Sequence, residues 1–206
     1  MGNEKRLITV PGEQTMLYRE TVFLKDGRKC ILRNGTVADG PAVLDNFIMT
    51  HGQTDFLLTY PEENRMTVEQ EAQYLKTKAE STDEIEILAE VDGKIVGTAG
   101  VDRIGVMEKI RHRAEFGISI DKEYWGLGIG KALTKACIAC AKMAGYVQLE
   151  LQVVADNKSA AALYESLGFL EYGRNPKGFL SRTAGWQELV MMRMELTREE
   201  NAGRSV

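Results

Sequence analysis

At 206 residues, with 44% hydrophobic and 27% charged side chains, the chain is sized for one full core without staples, a single domain over 1–206. A net charge of −4 argues against nucleic acid as a partner, and no apolar run approaches bilayer length, which argues against membrane. The start Met1-Gly2-Asn3-Glu4-Lys5-Arg6 is polar, unlike a signal peptide, and Arg6 stands where a myristoylation signal needs Ser or Thr; the expected location is cytoplasmic.

Residues 7–19 read as an irregular or short-strand arm. Residues 21–24 and 29–33 flank Lys25-Asp26-Gly27-Arg28, a hairpin whose Asp-Gly suits a type I′ turn. Over 36–50, Val37, Val43, Leu44, Phe47 and Ile48 recur at helical spacing, entered through Asn34-Gly35. Pro61 and Asn64 make 51–66 a loop, and Thr67 followed by Gln70 opens a helix over 67–80 with a capping box. Residues 86–91 and 94–101, joined by Asp92-Gly93, form a second hairpin. A charged connection over 103–113 leads into 114–120, which alternates: Phe116, Ile118 and Ile120 on one face, Glu115, Gly117 and Ser119 on the other.

The run Glu123-Tyr124-Trp125-Gly126-Leu127-Gly128-Ile129-Gly130-Lys131 then turns that strand into a helix carrying Ile129, Leu133, Ala136, Cys137, Cys140, Ala141 and Ala144, stopped by Gly145. Glycines at such a turn let the backbone approach closely, and the first helical turn presents unpaired N–H groups under a favourable dipole. Phosphate or pyrophosphate is the indicated ligand. A dinucleotide fingerprint would need glycine at Lys131, and a P-loop would need glycine at Trp125 and Ser or Thr at Ala132. Cys137 and Cys140 read C-x-x-C, but mid-helix, and a zinc site would need two ligands beyond them where the chain has only His51 and His112 as histidines. They read as small hydrophobes on the buried face, and no metal is expected.

Further on, 147–154 is a strand, and Asn157 caps a helix using Ala160, Leu163, Tyr164 and Leu167, stopped by Gly168. Residues 169–173 and 188–196 are the closing strands. Between them, 174–186 holds Pro176, two glycines, Phe179 and Trp186 and suits a substrate-side loop; 197–206 reads as a disordered tail.

G-x-G-x-G-K entering a helix resembles the pyrophosphate-binding motif of the GNAT superfamily of acyl-CoA-dependent N-acetyltransferases, with Gly128 and Gly130 on the motif and Trp125 where Arg or Gln is commonest. Asn157 to Phe169 resembles the superfamily's second signature, N-x-x-A-x-x-L-Y-x-x-x-G-F, in the expected order and one strand away. The resemblance covers 29–196. It implies the GNAT fold: α/β, a mixed, mostly antiparallel central sheet flanked by helices, here with an extra N-terminal strand or hairpin. It also implies acetyl-CoA as co-substrate, held by the turn from Gly126 through Leu127, Gly128, Ile129, Gly130 and Lys131 to Ala132. Ser119 and Ile120 would hold the thioester carbonyl and pantetheine if their strand parts from 147–154, as it does in the family. Asn157 would touch the pantetheine or pyrophosphate region, and Tyr164 would point at the sulfur.

Acetyl transfer to an amine needs a base, donors for the oxyanion and a proton for the departing thiolate. Glu115 is the candidate base by strand position, with ion pairing to Arg111 or Arg113 as the competing role; Tyr164 is the candidate sulfur donor, with core packing as its alternative. His51 and His112 are weaker candidates. Gln148, Glu150 and Gln152 share a strand face that borders the acceptor groove or lies against hydrated helices. The expected function is transfer of acetyl from acetyl-CoA to a primary amine by direct attack. The acceptor is a small-molecule amine or a protein N-terminus, and a homodimer is compatible with this reading. The alternative is a catalytically silent acyl-CoA-binding sensor or scaffold.

Overall fold

The computed structural model describes residues 5–8 and 15–196. The described strands form one nine-stranded sheet in the order β1-β2-β3-β4-β5-β6-β7-β9-β8. They are β1 (Lys5–Ile8), β2 (Leu17–Phe23), β3 (Lys29–Asn34), β4 (Ile85–Val91), β5 (Lys94–Arg103), β6 (Arg113–Ile120), β7 (Gln148–Val154), β8 (Leu170–Ser181) and β9 (Gly185–Glu195). Four α-helices accompany them: α1 (Gly40–Gln53), α2 (Val68–Glu80), α3 (Ile129–Met143) and α4 (Lys158–Ser166). Every pairing is antiparallel except β6 with β7. That exception follows from the crossover: α3 carries the chain back along the sheet, so the strands on either side of it run parallel.

Alternation along β4 shows how the layers divide. Ile85, Ile87, Ala89 and Val91 point to the main core with Ile129, Leu133, Cys137 and Cys140 of α3, whereas Leu88 joins Val43, Leu75 and Ile95 beneath α1 and α2. Leu133 is fully buried, which contributes roughly 1.5–3 kcal/mol. The cysteines are core hydrophobes: burial pushes the Cys140 thiol up to about 12 and holds Cys137 well above its ordinary value.

Both Asp-Gly turns close hairpins, by different geometries. Asp92 and Gly93 have φ of 51° and 79°, the pattern of a type I′ turn. At Asp26-Gly27 only Gly27 has positive φ (88°), and Gly27 N–H donates to Leu24 O, so a turn ending on a left-handed glycine replaces the expected type I′. The capping box at Thr67 is present: Gln70 N–H donates to Thr67 Oγ1 (3.3 Å) and Thr67 N–H to Gln70 Oε1 (2.8 Å).

The short-strand reading of the 7–19 arm holds where that arm is described, since β1 reaches Ile8 and β2 begins at Leu17. Two other expectations change. Helix α1 runs on to Gln53, so His51 sits in its last turn instead of a loop. Residues 174–186 are not a loop: β8 and β9 extend through them to a turn at 182–184. Register shifts at Glu171/Gly173 and Asn175/Phe179 absorb Pro176 and break the two-residue period that would have revealed the strand. The hairpin tip reaches the 54–63 segment, where Arg182 N–H donates to Tyr60 Oη (2.8 Å) and its guanidinium lies 3.7 Å over that ring. The 197–206 tail lies outside the described residues.

Candidate active site

The turn between β6 and α3 is built from glycines doing different work. Gly126 and Gly128 have φ of 76° and 103°, and a Cβ on either would meet nothing within 4 Å, so the turn borders open space. Gly130 is helical, and a Cβ there would lie 3.3 Å from Leu163 of α4 and 3.4 Å from Ile120. It lets α3, α4 and the end of β6 close together. Ala132 N–H donates to Gly128 O (3.1 Å), and the N–H groups of Ile129, Gly130 and Lys131 before it have no carbonyl one turn back. Unpaired N–H groups at a helix start are the geometry that suits an anion. Ile129 is buried, Leu127 and Ala132 are half-buried, and Lys131 is exposed.

Sequence reasoning missed what holds this turn. Asp121 is fully buried, accepts from Gln53 Nε2 (3.0 Å), Lys94 Nζ (3.0 Å) and Glu123 N–H (3.2 Å), and thereby ties the turn to the end of α1. Burial opposes its ionisation, but these donors prevail and hold its carboxyl below the ordinary value. Lys25 N–H donates to Leu127 O (3.1 Å) from the β2–β3 turn. Trp125, at the position commonly held by Arg or Gln in the family, donates from Nε1 to Ile120 O (2.8 Å).

β6 and β7 part as the resemblance implied. Their register holds only at Arg113↔Gln148, Ala114↔Leu149 and Glu115↔Glu150; from Phe116 to Ile120 the β7-facing edge of β6 is unpaired by strand. Ser119 and Ile120, both half-buried, lie on that open length just before the glycine turn. On the α3 side, Tyr164 is 7% exposed and meets Phe116 and Phe169 edge-on (6.1 and 5.9 Å between ring centres). Burial pushes its phenol up to about 12, and its hydroxyl has no hydrogen-bond partner among the described residues. Asn157 Oδ1 caps α4 through Ala160 N–H (3.2 Å), leaving its amide N–H₂ as donor.

On the opposite face, a cleft of about 490 Å³ opens between α1, α2 and the strands. Its floor includes Gly117, Ile118 and Ser119, and its walls include Phe47, His51 and Tyr74. His51 stacks on Phe47 (3.6 Å) with Nδ1 2.8 Å from Phe47 O, and burial lowers its pKa. Glu115 does not line this cleft. It lies between Asp102 and Glu150 in register, its surface open to solvent but its carboxyl partly shielded by the strands beside it; that desolvation first, and then these two neighbours, raise its pKa. Neither expected arginine pairs with it, since Arg113 binds Glu150 through two bonds (2.5 and 2.7 Å). Gln148 also donates to Glu150 (2.8 Å), Gln152 is exposed, and His112 is an exposed part of the 104–112 connection. The structure thus joins the glycine turn, the parted strands, Tyr164 and Asn157, and leaves Glu115 and the β7 polar row outside the cleft. Among the described residues no helix is long and apolar enough to cross a membrane.

Comparison with known proteins agrees with this geometry. The family model described as "Acetyltransferase (GNAT) family" matches residues 51–169, from the end of α1 to the close of α4. N-acetyltransferase 8B of Homo sapiens is 37% identical over 91 residues, 43% of this chain and 39% of that protein. N-alpha-acetyltransferase RimI of Mycobacterium tuberculosis is 34% identical over 101 residues, 49% of this chain and 60% of that protein, so the similarity spans less than two thirds of either relative. A GNAT-family acetyltransferase structure from Streptococcus pneumoniae superposes with a TM-score of 0.77 at 25% identity, covering 82% of this chain and 99% of that one. With its glycine turn, parted strands and capped tyrosine helix in this arrangement, the chain belongs to the GNAT acetyltransferase family.

Proposed function

We propose that the protein transfers the acetyl group of acetyl-CoA to a primary amine by direct attack. The observation that carries this reading is the parting of β6 from β7 immediately before the glycine turn. An extended pantetheine would replace the missing strand contacts at Ser119 and Ile120 while the pyrophosphate sits on the N–H groups from Gly126 to Lys131, Ala132 N–H being already bonded to Gly128 O. Asn157 has amide N–H groups left to donate to the cofactor. Tyr164 supplies a hydroxyl that burial keeps protonated and that no other side chain or backbone group among the described residues engages. That is what a departing thiolate needs.

Calorimetry with acetyl-CoA tests the donor half. Gly128→Asp puts a carboxylate where a phosphate must sit, so binding should be lost while the melting transition persists. Unchanged affinity in the folded variant would remove the turn from the site. Thiol release with a panel of amines tests the reaction itself.

A further inference from the structure

Three strands place one row of residues across the sheet. Glu86 on β4 faces Gly100 on β5, and Gly100 faces Gly117 on β6. Residues in register share a face, so Glu86 looks along a lane in which both neighbours lack side chains. An ideal Cβ on Gly100 would fall 2.5 Å from Glu86 Oε2, so the carboxylate lies over that glycine; a Cβ on Gly117 would meet nothing within 4 Å. The lane therefore runs open from Glu86 to the edge where β6 leaves β7. Glu86, Gly100 and Gly117 all line the cleft.

A second carboxylate enters the cleft from α2. Glu71 is 5% exposed, lines the cavity and makes no side-chain hydrogen bond or ion pair among the described residues. Asp102 is already held by Lys78, which also lies 3.6 Å from Glu84. The negative charge left without a cation in the buried part of the cleft is thus that of Glu86 and Glu71, and apolar surface from Val43, Phe47, Leu57 and Met66 lies around them.

We propose that this cleft receives a primary amine carrying a second positive charge across a short apolar spacer, with Glu86 taking the proton of the reacting ammonium and Glu71 pairing the second cation. The proposal rests on the acetyl-transfer reading above. The ammonium gives one proton to Glu86; the freed lone pair forms the C–N bond at the thioester carbon, and the carbonyl π pair moves to oxygen. Collapse breaks C–S, and the second nitrogen proton balances the one the thiolate takes through Tyr164. The products are an N-substituted acetamide, the free thiol and one proton released to water.

The groups facing Glu86 bear on its titration. Burial dominates and pushes its carboxyl up to about 7; Asp102 of β5 and Glu71 of α2 add to this, while Thr98 of β5 and Lys78 of α2 oppose it. Tyr74 Oη of α2 lies 3.5 Å from Oε2, His51 of α1 lines the same cleft, and Cys137 of α3 approaches from beneath the sheet. A carboxylate of this affinity suits a base working near neutrality.

The test is steady-state thiol release with acetyl-CoA and putrescine or cadaverine, each against butylamine or pentylamine, for the parent, Glu86→Gln, Glu71→Gln and Glu115→Gln. The parent should favour the diamines at least about tenfold in kcat/KM, and Glu71→Gln should erase that preference through KM with kcat nearly kept. Glu86→Gln should lose about a hundredfold in kcat and the rise of rate through neutral pH, more than Glu115→Gln loses. Glu86→Asp should restore part of the rate, and melting curves show that each variant is folded. Equal use of monoamines and diamines overturns the acceptor class. Loss of the pH limb in Glu115→Gln and its survival in Glu86→Gln overturns the base. A parent that binds acetyl-CoA but acetylates neither amine class overturns the small-diamine assignment, whereas one that does not bind acetyl-CoA fails the broader reading.

Discussion

Replacing Glu86 by Gln should alter the pH dependence of folding stability, whatever the acceptor is. In the folded chain its carboxyl is raised from 4.5 to about 7, chiefly by burial. Between those values the native state keeps a proton that the unfolded chain has released, so stability falls as pH rises through the window. The slope is about 1.4 kcal/mol per pH unit, and the interval of about 2.5 units gives at most about 3 kcal/mol. Water entering the open cleft lowers that figure, so a measured value of about 1–3 kcal/mol fits. Glutamine has no such titration. Relative to the parent, Glu86→Gln should therefore gain about 1–3 kcal/mol between about pH 4 and pH 8, with all of the gain falling between the unfolded and folded pKa. Glu71, Glu115 and His51 also have shifted values, but both chains carry them and they largely cancel in the difference. Urea unfolding followed by circular dichroism at about pH 4, 6 and 8 provides the comparison. A stability difference that stays constant across this range would refute a half-buried, proton-holding Glu86.

Three other outcomes are expected. Tyr164→Phe keeps the ring contacts with Phe116 and Phe169, so acetyl-CoA affinity by calorimetry should hold while turnover drops roughly tenfold to a thousandfold; parent turnover would make Tyr164 a packing residue. Gly100→Ala should displace the Glu86 carboxylate, lowering kcat about ten- to a hundredfold with cofactor affinity unchanged, and an unaffected kcat would show that the lane has no role. Lys131→Ala removes an exposed ammonium in the first turn of α3, so CoA affinity should fall by less than about tenfold and the loss should shrink at high salt; a salt-independent loss would point to packing.

Local chemistry was enough to read much of this protein from its residues. The glycine turn and its helix, Asn157 as a cap, both Asp-Gly hairpins and the Thr67 capping box each depend on a few neighbouring side chains and backbone angles, and each lies where its residues placed it. Where the backbone period breaks, reading failed: the bulges around Pro176 hid the long β8–β9 hairpin, and α1 continued past the apolar positions that marked it as far as Gln53, taking in His51. The acceptor side was not legible because it depends on register between strands far apart in sequence. Position on β6 made Glu115 the natural base, yet only the alignment of Glu86, Gly100 and Gly117 shows which carboxylate faces an open lane. The isolated glycines inside two strand patterns were the one local sign of that close approach. The same holds for Asp121, whose partners Gln53 and Lys94 lie 68 and 27 residues away. Sequence determined the row of unpaired N–H groups at the helix end because those donors are consecutive; tertiary structure alone decided which carboxylates are shielded, paired or left without a cation, because burial and pairing belong to the assembled sheet.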